Sequence, residues 1–294
     1  MDQSGVDEAT FEAHRPLLFS IAYRMLGSAS EAEDIVQDAW LRARLAAGAP
    51  ARSPRAYLTT IVTRLCIDHL RSSERTRMEY PGPWLPEPLA GPNQESAELA
   101  SSLTMAFMVL LEQLTPIERA VLLLREVFEL DFDEIAQIVG KTEANTRQIL
   151  TRGRARVRRP LPRFTATRGE SEAVVERFRH AIATGDMEQL LAVLDPDAHL
   201  VADGGGKVPS ATRPVFGADR VARFLLGYAS KAHFSDFDFT PVSINGAPGL
   251  LLRHPLAGDG VYAFDIDATG NGRIRAVYVV RNPDKLRAFL RDVN

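Results

Sequence analysis

The spacing of apolar residues changes along the chain. Up to Arg163, outside a proline-rich stretch at residues 78–94, they recur three and four positions apart, which places them on one face of an α-helix. Further helices are predicted over residues 171–194 and 215–228, and alternating runs follow them: HFSDFDF, GLLLRH, VYAFDI and IRAVYVV. Such alternation is typical of antiparallel strands with one buried face. The pattern predicts helical domains followed by an α+β domain.

The first domain is predicted to contain two helices within residues 7–47 and a third over residues 54–72. Ser30, with Glu33 three residues later, has the capping-box pattern that begins a helix. Three apolar residues of that helix are predicted to face inward: Ile35, Ala39 and Leu45. Its outer face is acidic and polar, with Glu33, Asp34, Gln37 and Asp38. By itself such a surface is a solvated helix face.

Residues 133–159 are predicted to form two short helices joined by a tight turn. Gly140 can take the positive φ that ends a helix, and Thr142 can N-cap the next one. The second helix has three inward positions, Ile149, Leu150 and Val157. Its open side carries Arg147, Gln148, Thr151, Arg152 and Arg154. This is the charge distribution of a DNA-recognition helix, whose outer face fits a major groove roughly 12 Å wide.

Basic residues are concentrated around that second helix. Residues 141–163 contain eight Lys or Arg, beginning with Lys141, against one acid, Glu143. The alternative is a solvated basic helix packed on a small bundle. The whole chain of 294 residues has a net charge of −3. Contact with nucleic acid is therefore expected to be local.

Several classes of site are excluded by composition. The single cysteine, Cys66, cannot form an internal disulfide and leaves no Cys-based zinc site, and we predict no metal and no cofactor. The first ten residues, MDQSGVDEAT, lack the features of a signal peptide. No apolar run approaches the roughly 18 residues of a membrane helix. We expect a soluble, cytoplasmic protein with no membrane contact.

Residues 78–94 are predicted to be a proline-rich linker. Five prolines and two glycines prevent a helix or a central strand there. Trp84 and Leu85 would expose apolar surface worth about 25 cal/mol per Å². We therefore expect the linker to dock on another surface, the alternative being a stiff spacer with an incidental tryptophan.

Three segments together resemble a known family. AEDIVQDAWLRA (residues 32–43), PRAYLTTIVTRLCIDHLRS (54–72) and the run from LTPIERAV to RARVRR (114–159) resemble the two domains of an extracytoplasmic-function sigma factor. The resemblance implies binding to the clamp helices and flap of core RNA polymerase and to promoter DNA. It assigns polymerase binding to Glu33, Asp34, Gln37 and Asp38.

The same resemblance implies which residues contact DNA. The third helix would handle the melted strand of the downstream element through Tyr57, Thr60 and Arg64, where the family often has Trp and Asn in place of Tyr57 and Arg64. Arg119 would hold a phosphate. The full predicted set is Tyr57, Thr60, Arg64, Arg71, Arg119, Lys141, Arg147, Gln148, Thr151, Arg152 and Arg154.

Three further motifs resemble the sigma-factor group that carries a fused SnoaL-like domain, an α+β cone with a curved antiparallel sheet around a pocket. They are WLPEP, DGGGK and NPDKL. The resemblance implies that the fused domain replaces a separate anti-sigma factor. Its predicted regulatory residues are Trp84, Leu85, Pro86, Glu87, Pro88, Asp203, Gly204, Gly205, Gly206, Lys207, Asn282, Pro283, Asp284 and Lys285. The expected domains are residues 7–77, a linker over 78–100, a helix-turn-helix domain over 101–163 and the SnoaL-like domain over 171–294.

An enzyme remains the alternative for the C-terminal domain, which would then be a ligand-binding or catalytic module. Its polar candidates are His199, Asp203, Lys207, His233, His254 and Asp265, but no spacing among them demands catalysis, and we predict no catalytic residue. DGGGK is not a phosphate-binding loop, because Val201 and Val208 stand where that motif requires Gly and Ser or Thr. A conventional repressor with a ligand domain is a third class, against which the acidic helix and the linker argue. We expect a sigma factor regulated by its own C-terminal domain, with an unidentified small ligand in the pocket left open.

Overall fold

The computed structural model describes most of the chain: residues 6–45, 53–91, 103–157, 168–231, 238–255, 258–267 and 272–293. The chain divides into two compact units. The first comprises Met1–Met78 and Leu110–Pro160, and the second comprises Glu79–Val109 and Leu161–Asn294. Residues 79–100 of the predicted linker and residues 101–109 of the predicted helix-turn-helix domain thus belong to the same unit as the C-terminal domain.

The first unit is helical throughout its described part. Its helices are α1 (Glu8–Leu26), α2 (Ala29–Leu45), α3 (Pro54–Met78), α5 (Pro116–Glu126), α6 (Phe132–Val139) and α7 (Glu143–Val157), while α4 (Met105–Leu111) contains the boundary between the units. The Asp7 carboxylate caps α1 by accepting from the Thr10 N–H at 2.7 Å, and Gly27 ends this helix at φ 71°. Leu18 and Ala22 of α1 are fully buried among α2 and α3.

Two local predictions for α2 are wrong. The helix begins at Ala29, and the Glu31 N–H donates to Ser28 Oγ at 3.2 Å, so Ser28 rather than Ser30 occupies the capping position. Leu45 is 82% exposed instead of facing inward. It is the last residue of the helix, two positions after Ala43, the last buried residue of α2.

The second unit is an α+β domain. Its helices are α8 (Arg168–Thr184), α9 (Met187–Val193), α10 (Ala218–Lys231) and α11 (Pro283–Asp292), and its strands are β1 (Leu194–Asp203), β2 (Val215–Phe216), β3 (Asp238–Ile244), β4 (Ala247–Arg253), β5 (Gly260–Ile266) and β6 (Ile274–Val280). The strands form one open sheet in the order β2-β1-β6-β5-β4-β3. The predicted α+β class is confirmed. One pairing is parallel, between β1 and β6, and the others are antiparallel.

The sheet separates two apolar cores because successive side chains on a strand point to opposite faces. On β6, Val277 and Val279 pack with the core formed by α8, α9 and α10. Ala276, Tyr278 and Val280 pack on the other face. That second core also contains residues of the linker and of α11, so the linker contributes to the fold of the C-terminal domain.

Met78, the first residue of the predicted linker, is the last residue of α3. Residues 79–91 contain no helix, as the prolines predict, and they make one bridge, between Ala90 and Ile244. Residues 92–100 of the predicted linker, 101–102 and 158–163 of the helix-turn-helix domain, and the first part of HFSDFDF with His233 lie outside the described residues. No helix in the described part is long and apolar enough to span a membrane.

Candidate nucleic-acid interface and linker-anchoring site

The predicted helix-turn-helix is formed by α6 and α7. Gly140 ends α6 at φ 65°, and the Asn145 N–H donates to Thr142 Oγ1 at 3.2 Å, so both predicted boundary residues are confirmed. Ile135 and Ile138 of α6 are buried at 0% and 3% exposure. This apolar face holds α6 against α5 and α7.

The second helix buries one face and exposes the other, as predicted. Its buried residues are Thr146, Ile149, Leu150, Gly153 and Val157. Its exposed predicted residues are Arg147, Gln148, Thr151, Arg152 and Arg154, and Lys141 before the helix is also exposed. The arrangement presents a basic helix surface that a DNA groove can accommodate.

Two arginines of this surface are positioned by neighbouring side chains. Arg147 pairs with Glu143 and lies over the Phe132 ring, with its guanidinium carbon 4.1 Å from the ring centroid. Arg154 pairs with Glu126 at the end of α5. Each pair fixes a guanidinium and would have to open or share its donors for a phosphate to bind.

Arg64 of α3 contacts α6 within the first unit. Its Nε donates to the carbonyl of Ile138, and its Nη2 donates to the carbonyl of Gln137, both at 2.8 Å. Carbonyls in the last turn of a helix lack intrahelical partners and attract cations. A residue predicted to contact the melted strand is therefore engaged by the helix-turn-helix domain.

The other predicted residues of α3 lie along the same helix. Tyr57 and Thr60 are partly buried, and the Thr60 hydroxyl donates to the Ala56 carbonyl at 2.8 Å. Arg71 is exposed, 3.6 Å from Asp68. Thr60 also lines a cleft of about 360 Å³ between α3 and α6.

Arg119, which the family resemblance assigns to a phosphate, is enclosed within the first unit. Its residue is 3% exposed, its Nη1 donates to the carbonyl of Met25 at 2.7 Å, and it forms a 2.7 Å ion pair with Glu112. A guanidinium enclosed in this way is not placed to hold a phosphate in this conformation. It instead joins α5 to α1.

The acidic face of α2 is exposed at all four predicted positions. They are Glu33, Asp34, Gln37 and Asp38. Among them Glu33 accepts from Arg15 of α1 at 2.8 Å. The opposite face is buried through Ile35 and Ala39, as predicted.

Asp203 is the centre of a second site, in the C-terminal unit. We call Tyr80, Leu85, Asp203, Asn282 and Lys285 the linker-anchoring site. The Asp203 residue is 1% exposed. Its Oδ1 accepts from the Tyr80 hydroxyl at 2.6 Å, and its Oδ2 accepts from the Leu85 N–H at 2.9 Å and from Lys285 Nζ at 2.8 Å. Burial, followed by the hydrogen bond to Asp203, raises the pKa of Tyr80.

Lys285 holds the linker from the opposite side. Its Nζ donates to the Leu85 carbonyl at 2.5 Å and lies 3.9 Å from the centroid of the Trp84 ring. A cation over an indole face is favourable, more so when desolvated. Leu85 itself is fully buried in the apolar core on this side of the sheet, and Pro86 and Pro88 are also buried. Trp84 and Leu85 thus dock on the C-terminal domain, as their apolar character predicts.

Asn282 joins the linker to α11. Its Nδ2 donates to the Tyr80 hydroxyl at 2.9 Å, and its Oδ1 accepts from the Asp284 N–H at 3.0 Å, which caps the helix. Pro283 occupies the first turn, and Asp284 pairs with Lys207. This ion pair lowers the pKa of Asp284.

The three glycines of DGGGK have no space for a side chain. Gly205, at φ 60°, would place a Cβ 2.3 Å from Asn282 Nδ2, and Gly206, at φ 68°, would place one 2.7 Å from Pro81 Cγ. At Gly204 a Cβ would lie 2.4 Å from the Val208 carbonyl oxygen. The motif lets the backbone approach both α11 and the linker.

Sequence reasoning missed Asn245, which anchors the linker at a second point. Its N–H donates to the Leu89 carbonyl at 2.9 Å, its Oδ1 accepts from the Leu89 N–H at 2.9 Å, and its Nδ2 donates to the Leu103 carbonyl at 3.0 Å. It lies in the β3–β4 turn at φ 52°. The pair Asn245-Gly246 between alternating runs was the available signal, since Asn-Gly is the preferred two-residue hairpin turn.

Apart from His233, which lies outside the described residues, the polar residues considered as enzyme candidates make separate contacts. Asp203 belongs to the linker-anchoring site, Lys207 pairs with Asp284, and Asp265 pairs with Arg275 at 3.2 Å. The His199 ring stacks with the Phe216 ring, and His254 is buried. None of these residues lines the cavity of about 200 Å³ between the sheet and α10.

Comparisons with known proteins match this chain to sigma factors over nearly its whole length. The Sigma-70 region 2 family model matches residues 10–76, and the Sigma-70 region 4 model matches residues 104–157. The chain is 35% identical to the ECF RNA polymerase sigma factor SigJ of Mycobacterium tuberculosis over 291 residues, covering 95% of this chain and 93% of the relative. It is 31% identical to the probable ECF sigma factor SigI of the same species, covering 99% of each.

A solved structure has the same architecture. The crystal structure of Mycobacterium tuberculosis SigJ superposes with a TM-score of 0.78 at 32% identity, covering 96% of this chain and 99% of that one. The similarity extends over the helical unit, the linker and the α+β domain.

Proposed function

The chain belongs to the extracytoplasmic-function family of RNA polymerase sigma factors, and from this premise we propose which of its parts carry out and restrain transcription initiation. As a member of that family it is not an enzyme; it acts with core RNA polymerase and promoter DNA in transcription initiation. We assign the exposed acidic face of α2 to the polymerase clamp helices and the basic face of α7 to the upstream promoter element. The face of α3 around Tyr57, Thr60 and Arg64 is assigned to the downstream element.

The contact of Arg64 supports a restrained state for the promoter-binding domains. The two carbonyls of Gln137 and Ile138 hold the guanidinium that we assign to the melted strand. Promoter binding then requires α3 and α6 to separate. The proposed resting form is one in which the helical domains occupy each other's DNA-facing surfaces.

The linker-anchoring site supports the proposal that the C-terminal domain controls this separation. The linker joins the two promoter-binding domains, and its reach is limited to about 3.3–3.6 Å per residue when fully extended. Anchoring of Tyr80, Leu85 and Leu89 to Asp203, Lys285 and Asn245 removes much of that reach. The single observation that carries the proposal is the binding of both backbone groups of Leu85 by a buried ion pair. No separate anti-sigma factor is then needed.

Run-off transcription with purified core polymerase tests the regulatory step. The template is a promoter selected from a pool of genomic fragments with the wild-type protein. Lys285→Met removes the cation that binds the Leu85 carbonyl, and we expect it to raise promoter-specific transcription. The matched control is Arg287→Gln on the same helix, whose side chain is 82% exposed; it should leave transcription unchanged.

Hydrogen exchange at the Leu85 amide establishes whether the variant has released the linker. Faster exchange together with unchanged transcription rejects control by the linker. Faster exchange with reduced transcription contradicts the proposed direction, and shows that the anchored linker assists initiation.

A further inference from the structure

A cavity of about 200 Å³ lies on the face of the sheet opposite the linker, between the sheet and α10. Its lining includes Ala202 of β1, Tyr262 of β5 and Val279 of β6, with Phe224 and Tyr228 of α10 opposite. A cavity of about 150 Å³ is large enough for a benzene ring. The space therefore accommodates one ring bearing a small substituent.

One cationic group lines this largely apolar cavity. Arg281 is 5% exposed, and its Nη1 donates to the Pro209 carbonyl at 2.5 Å. Its guanidinium carbon lies 5.0 Å from the centroid of the Tyr228 ring. These two contacts orient a planar group that has donors only and whose fork matches a carboxylate.

Two hydroxyl groups add to the polar side of the cavity. Ser210 Oγ is buried, and within the described part of the chain no group forms a hydrogen bond with it. Buried polar atoms without partners are uncommon in proteins and point to a missing ligand or water. Tyr262 carries a phenol, which is a neutral hydrogen-bond donor at pH 7 because its ordinary pKa is about 10, and burial raises this pKa further. Arg281, Ser210 and Tyr262, each of which carries a hydrogen-bond donor, thus line one largely apolar cavity.

We propose that this cavity binds a small planar carboxylic acid, with its ring between the sheet and α10 and its carboxylate on Arg281 and Ser210. The apolar walls favour the ring. The donors favour the anion over a neutral molecule of the same shape. This assignment of a binding site does not depend on the regulatory role of the linker.

The backbone next to the cavity connects it to the linker-anchoring site. The N–H groups of Arg281 and Asn282 both donate to the Asp203 carbonyl, at 2.8 and 3.0 Å. Ala202 and Arg281 line the cavity, and the residue that follows each of them, Asp203 and Asn282, binds the linker. A ligand that orders Arg281 is expected to stabilise these backbone contacts. This consequence for transcription rests on the function proposed above.

Isothermal titration of the full-length protein with sodium benzoate, and with benzamide as the neutral analogue, tests the site. We expect saturable one-to-one binding of benzoate, about tenfold tighter than benzamide, because a charge-assisted hydrogen bond is about twice as strong as a neutral one. Arg281→Gln should abolish the preference for benzoate. Ala211→Leu fills the cavity without changing Arg281 and should abolish binding of both compounds.

Arg287→Gln is the control, since it removes an exposed arginine elsewhere in the domain and should change neither affinity. Absence of benzoate binding, equal affinities for the two compounds, or unchanged binding by Ala211→Leu would each overturn the assignment. Circular dichroism shows whether each variant is folded. Benzoate should also slow exchange of the Leu85 amide; an unchanged rate with saturated protein overturns the connection to the linker while the binding site stands.

Discussion

Asp203 and Lys285, 82 residues apart, form a buried ion pair with Oδ2 and Nζ separated by 2.8 Å. The backbone of Leu85 completes it, because its N–H donates to the carboxylate and its carbonyl accepts from the ammonium group. Buried charges require such additional hydrogen bonds to offset desolvation. The linker backbone thereby helps to offset the desolvation free energy of the buried ion pair.

Replacement of one partner should therefore be costly. Lys285→Met leaves the Asp203 carboxylate buried without its cation, and we expect the free energy of unfolding to fall by about 3–5 kcal/mol. Urea denaturation followed by Trp84 fluorescence in a Trp40→Phe background measures this change. Arg287→Gln should change it by less than about 0.5 kcal/mol. A loss of that small size in Lys285→Met would contradict the importance of the pair.

A double replacement is the second control, because it measures the interaction energy between Asp203 and Lys285 apart from the effect of each single replacement. Asp203→Asn with Lys285→Met removes both charges, so no isolated ion remains buried. A coupling energy of about 1–3 kcal/mol between the two sites is expected. The same denaturation measurements on the wild type, both single variants and the double variant supply the cycle. Additive losses would mean that the two groups act independently.

Gly205 should not tolerate alanine. The substitution places a Cβ against the Asn282 side chain at a left-handed backbone position, and we expect a loss of about 2 kcal/mol or more. Gly227 in α10 offers a matched control, since a Cβ there meets nothing within 4 Å. Gly227→Ala should stabilise the domain by about 0.5–1 kcal/mol. Thermal unfolding of both variants is the measurement. Destabilisation of Gly205→Ala alone indicates a steric clash at DGGGK, whereas destabilisation of both variants would mean that any glycine replacement destabilises the domain.

These residues show what sequence alone can supply. The ends of α6 and α7 were predictable because Gly140 and Thr142 act on their own helices through local geometry. The alternating runs predicted β4, β5, β6 and the start of β3, because one buried face imposes a period of two, but they did not include β1 or β2. They did not give the parallel pairing of β1 with β6, which joins strands distant in the chain.

The contacts at the functional sites were harder to predict, because they join residues that are distant in the sequence. Trp84 and Leu85 predicted that the linker docks on another surface, because exposed apolar side chains are unfavourable. Their contacts with Asp203 and Lys285 were not predicted, because these contacts depend on the tertiary structure. The enclosure of Arg119 by Met25 and Glu112 was not predicted, because only tertiary packing brings these residues together. The role of Asn245 was missed because the sequence of a hairpin turn does not show which other segment of the chain packs against that turn.

Alkaline pH should weaken the anchoring of Tyr80. Its pKa is raised in the folded protein above the ordinary value of 10.0, so the folded state retains the proton that the unfolded state loses. The contribution of this group is fully present below about pH 10 and declines as the pH rises further. Stability measured between pH 9 and 11 should fall more steeply for the wild type than for Tyr80→Phe. Parallel curves would show that Tyr80 does not titrate differently on folding.

The contact of Arg64 with α6 predicts a change in separation on binding polymerase. Donor and acceptor dyes on Arg44→Cys and Ala144→Cys, both at exposed positions, in a Cys66→Ala background, place one label in each promoter-binding domain. Energy transfer should be high in the free protein and should fall in the holoenzyme. Arg64→Met removes the two hydrogen bonds from the guanidinium to α6, so it should lower energy transfer in the free protein. Equal transfer in the free and polymerase-bound states would contradict the proposed resting form.

Arg152 provides the sharpest test of the recognition surface because it is exposed and adds charge without belonging to the buried face of α7. If it neutralises one phosphate, Arg152→Gln should reduce the slope of log affinity against log salt by about 0.9. Fluorescence anisotropy of the holoenzyme on a labelled promoter duplex, at four or more salt concentrations, measures that slope. Arg177→Gln, an exposed arginine of α8, removes the same charge from the C-terminal domain and should leave the slope unchanged. Identical slopes for wild type and Arg152→Gln would remove Arg152 from the DNA-binding surface, whereas equal reductions in both variants would indicate a non-local effect of net charge.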